Sequence, residues 1–521
     1  MNTVPATVIL RLIWVLLAVS SARSAWAQRE ADTWYFGDRA GFSFQSGAPQ
    51  PLLDGQMATS YASAVLNEPT TGQLLLYSNG EQVWGRDHRV MPNGSALLGS
   101  SYVTQGALVV PMPDDPARYY LFTLKAWGVA LNPPQPVASY AGRLAYSVVD
   151  LRQNNGLGDV VAQSKNRVVA TGLNEKLTAV RHANGRDYWV LCHEWQSNVF
   201  LVASVSAAGI GPFNRYAVGP AQPVDTMSSS FQDQAKGVLR ASPDGRKLAY
   251  GVLTGAVSGA LPAFGLYDFD PTTGAVSNFV NLGTLRDAYG PCFSPDNSKL
   301  YVPNFGRTTD RRHYNIISQY DLLAGDAAAI AASGQSIILG NPATNINSLS
   351  GDNVLYQMQN GPDGRVYGAS GYRSNGPDEQ SGDDRNVFFV INRPNAHGFA
   401  CDVQYRRFDF GGRYGNPGLP NFMQHYFNGL VPSLDAFTCD PLHAEVFPNP
   451  TADVFHVRLP GTCLQPYTLT LYDILGRKIF TQKVASAASE VPISVAALAS
   501  GLYAVELCFA QQRIVKKLIK Q

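Results

Sequence analysis

The side chains that could do chemistry in this chain are few and lie far apart. His193 and Glu194 are adjacent, but no second histidine stands four residues after His193, so the zinc-binding helix of metalloproteases is absent. The sequence Gly-x-Ser-x-Gly does not occur, which excludes the nucleophile elbow of an α/β-hydrolase. His193 follows an apolar run typical of a strand, so we interpret it as a polar strand end near a sheet edge. We therefore predict no catalytic residue and no metal site.

Three aspartates occupy the same place in three similar segments of the chain. Asp244, Asp296 and Asp363 each follow a proline, and a turn explains them because an aspartate side chain bonds its own backbone two residues on. Sialidase-type turns also carry an aspartate but place a tryptophan five residues later. The corresponding positions here hold Ala249, Tyr301 and Gly368. We predict structural turns that lie well apart, not a catalytic carboxylate set.

A second oxygen-rich group precedes residue 160. Asp150, Asn154, Asn155 and Asp159 are close in sequence, and loops rich in such residues can bind calcium. The spacing does not match an EF-hand, because the glycine and the terminal glutamate are misplaced. A turn-rich loop is our first interpretation, and a calcium site is the alternative.

The elements that carry these residues repeat along the chain. Pro-Asp-Gly or Pro-Asp-Asn presets a turn, and the apolar run after it indicates a strand. The clear copies are 242–250, 294–302 and 361–367, and the looser ones are 71–77, 118–122 and 185–190. Six such units spaced roughly 45–70 residues apart are typical of a β-propeller with one unit per blade. We predict an all-β fold with a propeller of six or seven blades over residues 31–430.

Composition agrees with this fold class and narrows the range of partners. The 521 residues include 48 Gly, 33 Pro and 25 Tyr, which suits a turn-rich β protein. Charged residues make up only 15% and the formal net charge is +1, so nothing in the charge favours a nucleic-acid partner. No later stretch is apolar enough to predict a transmembrane span in the mature chain. We also predict no cofactor.

Residues 1–27 have the pattern of a secretory signal peptide. An apolar core at 12–19 precedes Ala25-Trp26-Ala27, a small-x-small cleavage site that places Gln28 first in the mature chain. The core is too short to span a bilayer, which argues against a membrane anchor. The strand at 34–37 follows shortly afterwards, and we expect it to complete the last blade and close the ring.

The last part of the chain differs from the rest. Residues 431–444 have the character of a linker, and 446–521 carry eight basic and four acidic residues, a net charge of +4. Short strands with period-two alternation follow one another in this module. We predict a small immunoglobulin-like β-sandwich.

Two resemblances to known families emerge from these patterns. Residues 33–427 resemble exported propeller proteins of Bacteroidetes. That resemblance rests on segments 34–37, 82–84, 91–94, 146–150, 156–160, 175–180 and 418–422. Residues 446–521 closely resemble the C-terminal sorting domain of the type IX secretion system. The matching residues are Pro448, Asn449, Pro450, Asp473, Gly476, Arg477, Gly501, Tyr503, Lys516 and Lys517.

The second resemblance implies a route and a partner. In that family the tail directs transport across the outer membrane and is then usually removed, and the protein is released or attached to surface lipopolysaccharide. The resemblance therefore implies type IX machinery as a partner and a secreted or outer-membrane surface location reached through the periplasm. An ordinary immunoglobulin-like accessory domain is the alternative.

Six cysteines are compatible with export into an oxidising compartment. Cys463 and Cys508 lie in the same small module, and we predict a disulfide between them. Cys401 and Cys439 flank the end of the propeller and form a second candidate pair. Cys192 and Cys292 are interpreted as buried free thiols.

Taken together, the sequence predicts an exported binding or scaffold protein without enzymatic activity. The face of the propeller would bind an unknown protein or glycan, because loops gather there around a central channel. Aromatic residues in loops, such as Trp127, Trp195 and Tyr372, could stack on a ligand, although most aromatic residues should pack between blades. The alternative is a propeller-based glycan-active hydrolase or lyase.

Overall fold

A computed structural model describes most of the chain after residue 27. The described residues are 28–125, 142–221, 234–253, 264–285, 287–307, 313–338, 353–372, 384–430, 444–458, 467–474, 476–484, 490–508 and 513–521. The predicted signal peptide, with Ala25 and Ala27, therefore lies outside them. Within these ranges the chain is almost entirely β, with short helices at Gln153–Gly156 and Ala327–Ala332. No helix among them is long and apolar enough to cross a membrane.

Six antiparallel sheets lie between residues 28 and 430 in the described part of the chain, and the largest, of nine strands, is divided here at β11 into sheets 3 and 4, which gives seven numbered sheets. Sheet 1 contains β1 (Thr33–Phe36), β2 (Ala40–Ser43) and β3 (Gln50–Leu52). Sheet 2 contains β4 (Ala64–Asn67), β5 (Leu74–Ser78) and β6 (Val83–Gly85). Sheet 3 contains β7 (Ala107–Met112), β8 (Asp115–Lys125), β9 (Gly142–Asp150), the short β10 (Asp159–Val160) and the first half of β11 (Arg167–Arg181).

The remaining four sheets begin with the second half of β11. Sheet 4 adds β12 (Tyr188–Glu194), β13 (Val199–Ser206), β14 (Gly209–Ile210) and β15 (Asn214–Ala217). Sheet 5 contains β16 (Leu239–Ala241), β17 (Lys247–Tyr250), β18 (Gly265–Phe269) and β19 (Val276–Asn281). Sheet 6 contains β20 (Cys292–Phe293), β21 (Lys299–Arg307), β22 (His313–Asp321) and β23 (Gln335–Ile338). Sheet 7 contains β24 (Asn353–Asn360), β25 (Val366–Tyr372), β26 (Val387–Ile391) and β27 (Val403–Arg407).

Strand β11 belongs to two sheets because its register shifts in the middle. Residues from Arg167 to Leu173 pair with β9, and Leu173 and the residues from Leu177 to Arg181 pair with β12, so Leu173 pairs on both sides. The irregularity between Leu173 and Leu177 bends the strand, as a bulge does. One strand thus ends sheet 3 and begins sheet 4.

The sheets are arranged around a centre in chain order. From sheet 1 to sheet 7, the first strands of consecutive sheets contact each other. Sheet 1 lies between sheets 2 and 7, since Tyr35 packs against Tyr77 of β5 while Trp34 packs against Tyr367 of β25. This is a propeller-type arrangement.

The ring closes differently from the sequence-based expectation. The strand at 34–37 was expected to complete the last blade, but β1 pairs with β2 in a sheet of its own, so that expectation is wrong. Aromatic packing joins sheets 1 and 7 instead, with Phe36 and Phe42 both against Phe388. The ring is therefore closed between sheets 1 and 7 by aromatic side chains, which the repeat in the sequence does not indicate.

Each of the six repeated units coincides with the second strand of one sheet. These strands are β5, β8, β12, β17, β21 and β25. The turn before each strand is fixed locally: in the clearest unit, Asp244 Oδ1 accepts from Arg246 N at 3.1 Å, and Gly245 has a φ of +73°. Sheet 1 lacks the unit because its first two strands are joined at Gly37 and Arg39, which both have positive φ.

The C-terminal module has two sheets and a hydrophobic core of its own. One sheet contains β28 (Glu445–Phe447), β29 (Val454–Arg458) and β32 (Glu490–Ser494). The other has the order β31 (Lys478–Val484), β30 (Tyr467–Asp473), β33 (Gly501–Cys508) and β34 (Arg513–Lys520). Phe455, Leu469, Val505 and Leu518 are fully buried between them. Ala444, placed in the linker by sequence, is part of this core.

Candidate functional site

Residues 414–430, called here the channel segment, run between the first strands of the sheets. Asp38 N donates to Tyr414 O at 2.8 Å, and Asn421 N donates to Ser63 O at 2.8 Å. At the other end, Gly429 N donates to Pro295 O at 2.8 Å. Ser63 precedes β4, whereas Pro295 follows β20, so the segment passes from one face of the ring to the other. We call these the entry face, where the first strands begin, and the turn face, which carries the Pro-Asp-Gly turns.

Asn421 is the central residue of the channel segment. Its Nδ2 donates to Ala107 O at 3.2 Å and to Leu177 O at 3.0 Å, and its Oδ1 accepts from Gln105 Nε2 at 3.1 Å. Gln105 Oε1 in turn accepts from Leu177 N and Leu239 N. The two buried side chains therefore connect the first strands of sheets 3, 4 and 5 through their backbone groups.

A buried arginine connects sheets 5, 6 and 7 on the same principle. Arg240 donates from Nη1 to Gln359 Oε1 at 2.8 Å, from Nη2 to Met358 O at 2.8 Å and from Nε to Pro291 O at 3.3 Å. Burial lowers the pKa of its guanidinium. All three of these hydrogen bonds go to neutral oxygens, which suits a structural connection rather than recognition of an anion.

The entry face holds a buried carboxyl group. Glu175 Oε2 accepts from Thr104 N at 2.9 Å and from Thr104 Oγ1 at 2.8 Å. Thr104 Oγ1 also lies 2.8 Å from Tyr289 Oη and accepts from Gly237 N at 3.2 Å. Burial raises the pKa of Glu175, with the charge of Lys236 acting in the opposite direction. A perturbed carboxyl next to hydroxyl groups marks this place as a candidate functional site.

Lys176, the next residue in the chain after Glu175, and His193 both contact the ring of Tyr250. Lys176 Nζ donates to Ala235 O and Lys236 O and sits 4.3 Å from the centre of the Tyr250 ring. Burial lowers the pKa of Lys176 to about 7. Burial, followed by the charge of Lys176, lowers the pKa of His193 to about 3, so His193 is neutral.

His193 corrects one sequence interpretation. It is only 1% exposed and packs against Phe200 and Tyr250 between sheets 4 and 5, so it is not at a sheet edge. Its Nδ1 lies 3.1 Å from Asn174 Nδ2 and 2.8 Å from Glu194 O. The sequence pattern of β12 did not predict the burial of His193, because a histidine on either face of the strand fits the same pattern.

Three tyrosine rings pack together at the entry face next to Glu175: Tyr61 is half-buried, Tyr356 is 7% exposed and Tyr289 is fully buried. The ring centres of Tyr61, Tyr289 and Tyr356 lie 5.2 to 6.1 Å apart. Lys236 Nζ lies 5.9 Å from the centre of the Tyr61 ring, and both of these residues are half-buried. We call Tyr61, Glu175, Lys236, Tyr289 and Tyr356 the entry-face site. Tyr61 and Lys236 are its partly exposed members, and Glu175, Tyr289 and Tyr356 are buried behind them.

Replacing Lys176 by methionine should change how stability depends on pH. The native pKa of about 7 lies below the ordinary value of 10.5, so between these values the unfolded chain binds more protons and stability rises with pH. We expect the wild type to gain up to about 2 kcal/mol relative to Lys176→Met between pH 7.0 and 8.5. Urea unfolding at both pH values measures this gain, and equal pH dependence in the two chains would contradict it.

The other sequence-derived acidic groups have local partners. Asp150 is bound by Arg152 and Arg118 at 2.9 and 2.8 Å, and the Arg152 contact holds the pKa of the Asp150 carboxyl well below its usual range. Asp159 accepts from both nitrogens of Asn93 at 2.8 Å. Nowhere in the described ranges do three or more His, Cys, Asp or Glu side chains come together as a metal site would require.

The three turn aspartates are not equivalent, and the expectation that they lie well apart is wrong for two of them. Asp244 and Asp296 line the same cavity, where Asp244 N donates to Asn297 Oδ1 at 2.9 Å. Asp296 Oδ1 accepts from Ser298 N at 3.0 Å, which is the same turn role as that of Asp244. Asp363 is instead buried, and its Oδ2 contacts Arg365 Nη1 at 2.9 Å and accepts from Tyr367 Oη at 2.6 Å. The Pro-Asp-Gly motif predicted all three turns but not this buried ion pair.

The thiols follow the sequence interpretation only in part. Cys192, Cys292 and Cys401 are buried free thiols, so the suggested pair of Cys401 with Cys439 is not formed. Burial raises the pKa of Cys292 to about 12 and that of Cys401 to about 11. Cys463 lies outside the described residues, so its disulfide with Cys508 stays a prediction.

In the C-terminal module, the motif residues that lie far apart in sequence converge on three neighbouring strands. Asn449, between Pro448 and Pro450, donates from Nδ2 to Lys517 O at 2.7 Å and accepts at Oδ1 from Ile519 N at 2.9 Å. Its side chain therefore connects the start of the module to β34. This contact explains why Pro-Asn-Pro and the final strand belong to one motif.

The remaining motif residues lie on the same sheet. Asp473 and Arg477 close the turn after β30 with a 2.7 Å contact between Oδ2 and Nε, and Gly476 has a φ of +76°. Tyr503 pairs with Asp473 and donates from Oη to Ala499 O at 2.8 Å. The last three residues extend the pairing to the edge strand: Gly501 faces Lys520, Lys516 faces Val505 and Lys517 faces Ala504.

Comparison with protein families identifies this module. Residues 445–521 match the family described as the secretion system C-terminal sorting domain. They are thus a sorting domain of the type IX system. The chain is a protein exported by that system to the cell surface or the medium.

Comparisons of the whole chain give weaker likenesses. Comparison with curated proteins returns no match. A protein proposed to be a 6-phosphogluconolactonase, from Bacteroides fragilis, is 12% identical over 75% of this chain and 97% of its own, with a TM-score of 0.39. A periplasmic gluconolactonase of Pseudomonas aeruginosa is 14% identical over 80% of this chain and 95% of its own, with a TM-score of 0.34. These likenesses are too low to bear on activity.

Proposed function

We propose that this protein is a non-enzymatic binding or scaffold protein whose entry face takes up a protein or a glycan outside the outer membrane. Export through the type IX system supplies the location. The observation that supports the binding role is the half-buried ring of Tyr61, which has Lys236 Nζ 5.9 Å from its centre and is backed by the buried rings of Tyr289 and Tyr356. Tyrosine offers a large rigid contact surface with a polar end, which suits recognition.

The chemistry of the site supports binding over catalysis. Glu175 is almost fully buried, and its Oε2 is held by two hydrogen bonds from Thr104. Lys176 is held by two backbone carbonyl groups. A general acid or base must reach the proton that it transfers, and both groups are committed to the protein itself.

The architecture behind this face is part of the proposal. We propose that the seven sheets are seven blades, of which sheet 1 is the one without the repeated turn. The C-terminal module would then be an immunoglobulin-like sandwich, in keeping with its sheets of three and four strands. The channel segment fills the space between the first strands, which leaves the faces of the ring for ligands.

Tyr61→Ala should weaken ligand binding by roughly tenfold or more, because aromatic residues at the centre of an interface carry much of its free energy. The mature chain would first be screened against panels of polysaccharides and surface proteins, and affinities would then be measured for the variant. Phe399→Ala is the matched control, since Phe399 is an aromatic residue that is 69% exposed elsewhere. Unchanged binding by Tyr61→Ala would contradict the entry-face site.

A glycan-active hydrolase or lyase is the second candidate. The raised pKa of Glu175 and its connection through Thr104 to Tyr289 favour it, because such a carboxyl group can act as an acid. Turnover of any polysaccharide by the mature chain, abolished in Glu175→Gln, would establish this function. Binding without turnover favours the scaffold role.

A further inference from the structure

Exposed apolar side chains are concentrated in the sorting domain. Of the twelve large hydrophobic residues that are most exposed in the described part of the chain, six lie in this small module. They are Val454, Ile474, Ile479, Leu502, Val515 and Ile519. Monomeric proteins expose single apolar residues everywhere, but a local concentration marks an interaction surface.

Three of these residues lie on the outer face of the β33–β34 ladder. Leu502 and Ile519 are direct cross-strand partners. Val515 pairs with Glu506, which lies four residues after Leu502 on β33 and therefore on the same face of the sheet. Side chains alternate along a strand, so the buried Val505, Leu507 and Leu518 point to the core while these three point outwards. Leu502, Val515, Lys517 and Ile519 are called here the ladder patch.

The charge around the ladder patch limits what can cover it. Lys517 lies within the patch, opposite Ala504, and is exposed. Residues 445–521 carry eight basic and five acidic side chains, a net charge of +3. Glu506, opposite Val515 on the same face, is only 7% exposed, so Lys517 supplies the exposed charge of the patch. A second copy of the module would bring two Lys517 side chains together, which like-charge repulsion disfavours. An apolar surface with an acidic rim is complementary to this patch.

We propose that the ladder patch is the surface by which the sorting domain docks on the export apparatus, against an apolar protein surface rimmed by acidic residues. The assignment concerns the exported protein's own transport and does not depend on what the entry face binds. It also explains why the two strands that carry Gly501, Tyr503, Lys516 and Lys517 are joined to the Pro-Asn-Pro start by Asn449. These motif residues belong to the paired strands β33 and β34, and the outer face of the same two strands carries the ladder patch.

The test uses the full chain in a host with type IX machinery. Leu502→Thr with Val515→Thr removes apolar contact while keeping residues that suit strands. The matched control is Val454→Thr with Ile474→Thr, whose exposed fractions of 39% and 72% bracket the 45% and 54% of Leu502 and Val515 and which lie off the β33–β34 ladder in the same module. A charge pair is added: Lys517→Glu in the patch, and Lys478→Glu on β31, three strands away in the same sheet. Protein in the periplasm and outside the cell is measured by immunoblotting, and thermal unfolding of each purified chain reports folding.

The expected result is at least tenfold less protein outside the cell for the patch variant and for Lys517→Glu, with both controls exported normally. Normal export of both patch variants would overturn the proposal. Loss of export in the control variants as well would also overturn it, because the requirement would then belong to the whole module. If the threonine patch variant unfolds at a lower temperature than the wild type, the export of Lys517→Glu alone is used to accept or reject the proposal. Sedimentation showing a dimer that the patch variant disrupts would assign the surface to a second copy and reject the proposal.

Discussion

A chain that ends after Asp440 is expected to fold, to enter the periplasm and to remain there. The sorting domain has its own core from Ala444 to Leu518, and the truncated chain keeps the seven sheets and the channel segment. Two units with separate cores can fold independently. Loss of residues 441–521 should therefore abolish export without lowering the thermal stability of the remaining chain.

A shorter truncation sharpens this prediction. A chain that ends before Lys516 loses most of β34, which pairs with β33 from Gly501 to Cys508, and loses the Asn449 contacts to Lys517 and Ile519. It should also stay in the periplasm. The reciprocal experiment places residues 440–521 behind a periplasmic reporter in a host with type IX machinery. If the reporter stays in the periplasm while the chain truncated after Asp440 still reaches the surface, the module has no sorting role in this protein.

Local chemistry explains which parts of the fold could be predicted from the sequence. A Pro-Asp-Gly turn is determined by its own four residues, so the repeated units are recognisable from the amino-acid sequence alone. The sorting motif is likewise a set of local turns and strand starts, such as Asp473 to Arg477. Sheet 1 does not show the repeat because its turn at Gly37 uses other residues with positive φ.

The candidate site could not be predicted from the sequence because its residues are brought together by long-range contacts. Glu175 and Lys176 stand in an apolar strand, and two adjacent charges there were the available signal. Their partners, Thr104, Tyr289 and Lys236, come from other sheets, so their proximity depends on how the ring closes. Likewise, nothing in Gly418-Leu419-Pro420-Asn421 indicates that this segment lies inside the ring. Long-range contacts of this kind need the three-dimensional arrangement.

Asn421→Ala is expected to lower the free energy of unfolding by about 3 kcal/mol. The substitution removes the donors to Ala107 O and Leu177 O and the acceptor of Gln105 Nε2, all of which are buried, and a buried group left unsatisfied costs about 1–3 kcal/mol. Asn428→Ala is the control on the same segment: Asn428 is exposed and accepts one hydrogen bond, from Asn297 Nδ2, so its loss should cost no more than about 0.5 kcal/mol. Urea unfolding of the chain truncated after Asp440 measures both effects without the sorting domain. Equal stability of the two variants would mean that the channel segment does not hold sheets 3, 4 and 5 together, and that the aromatic contacts between sheets 1 and 7 close the ring without it.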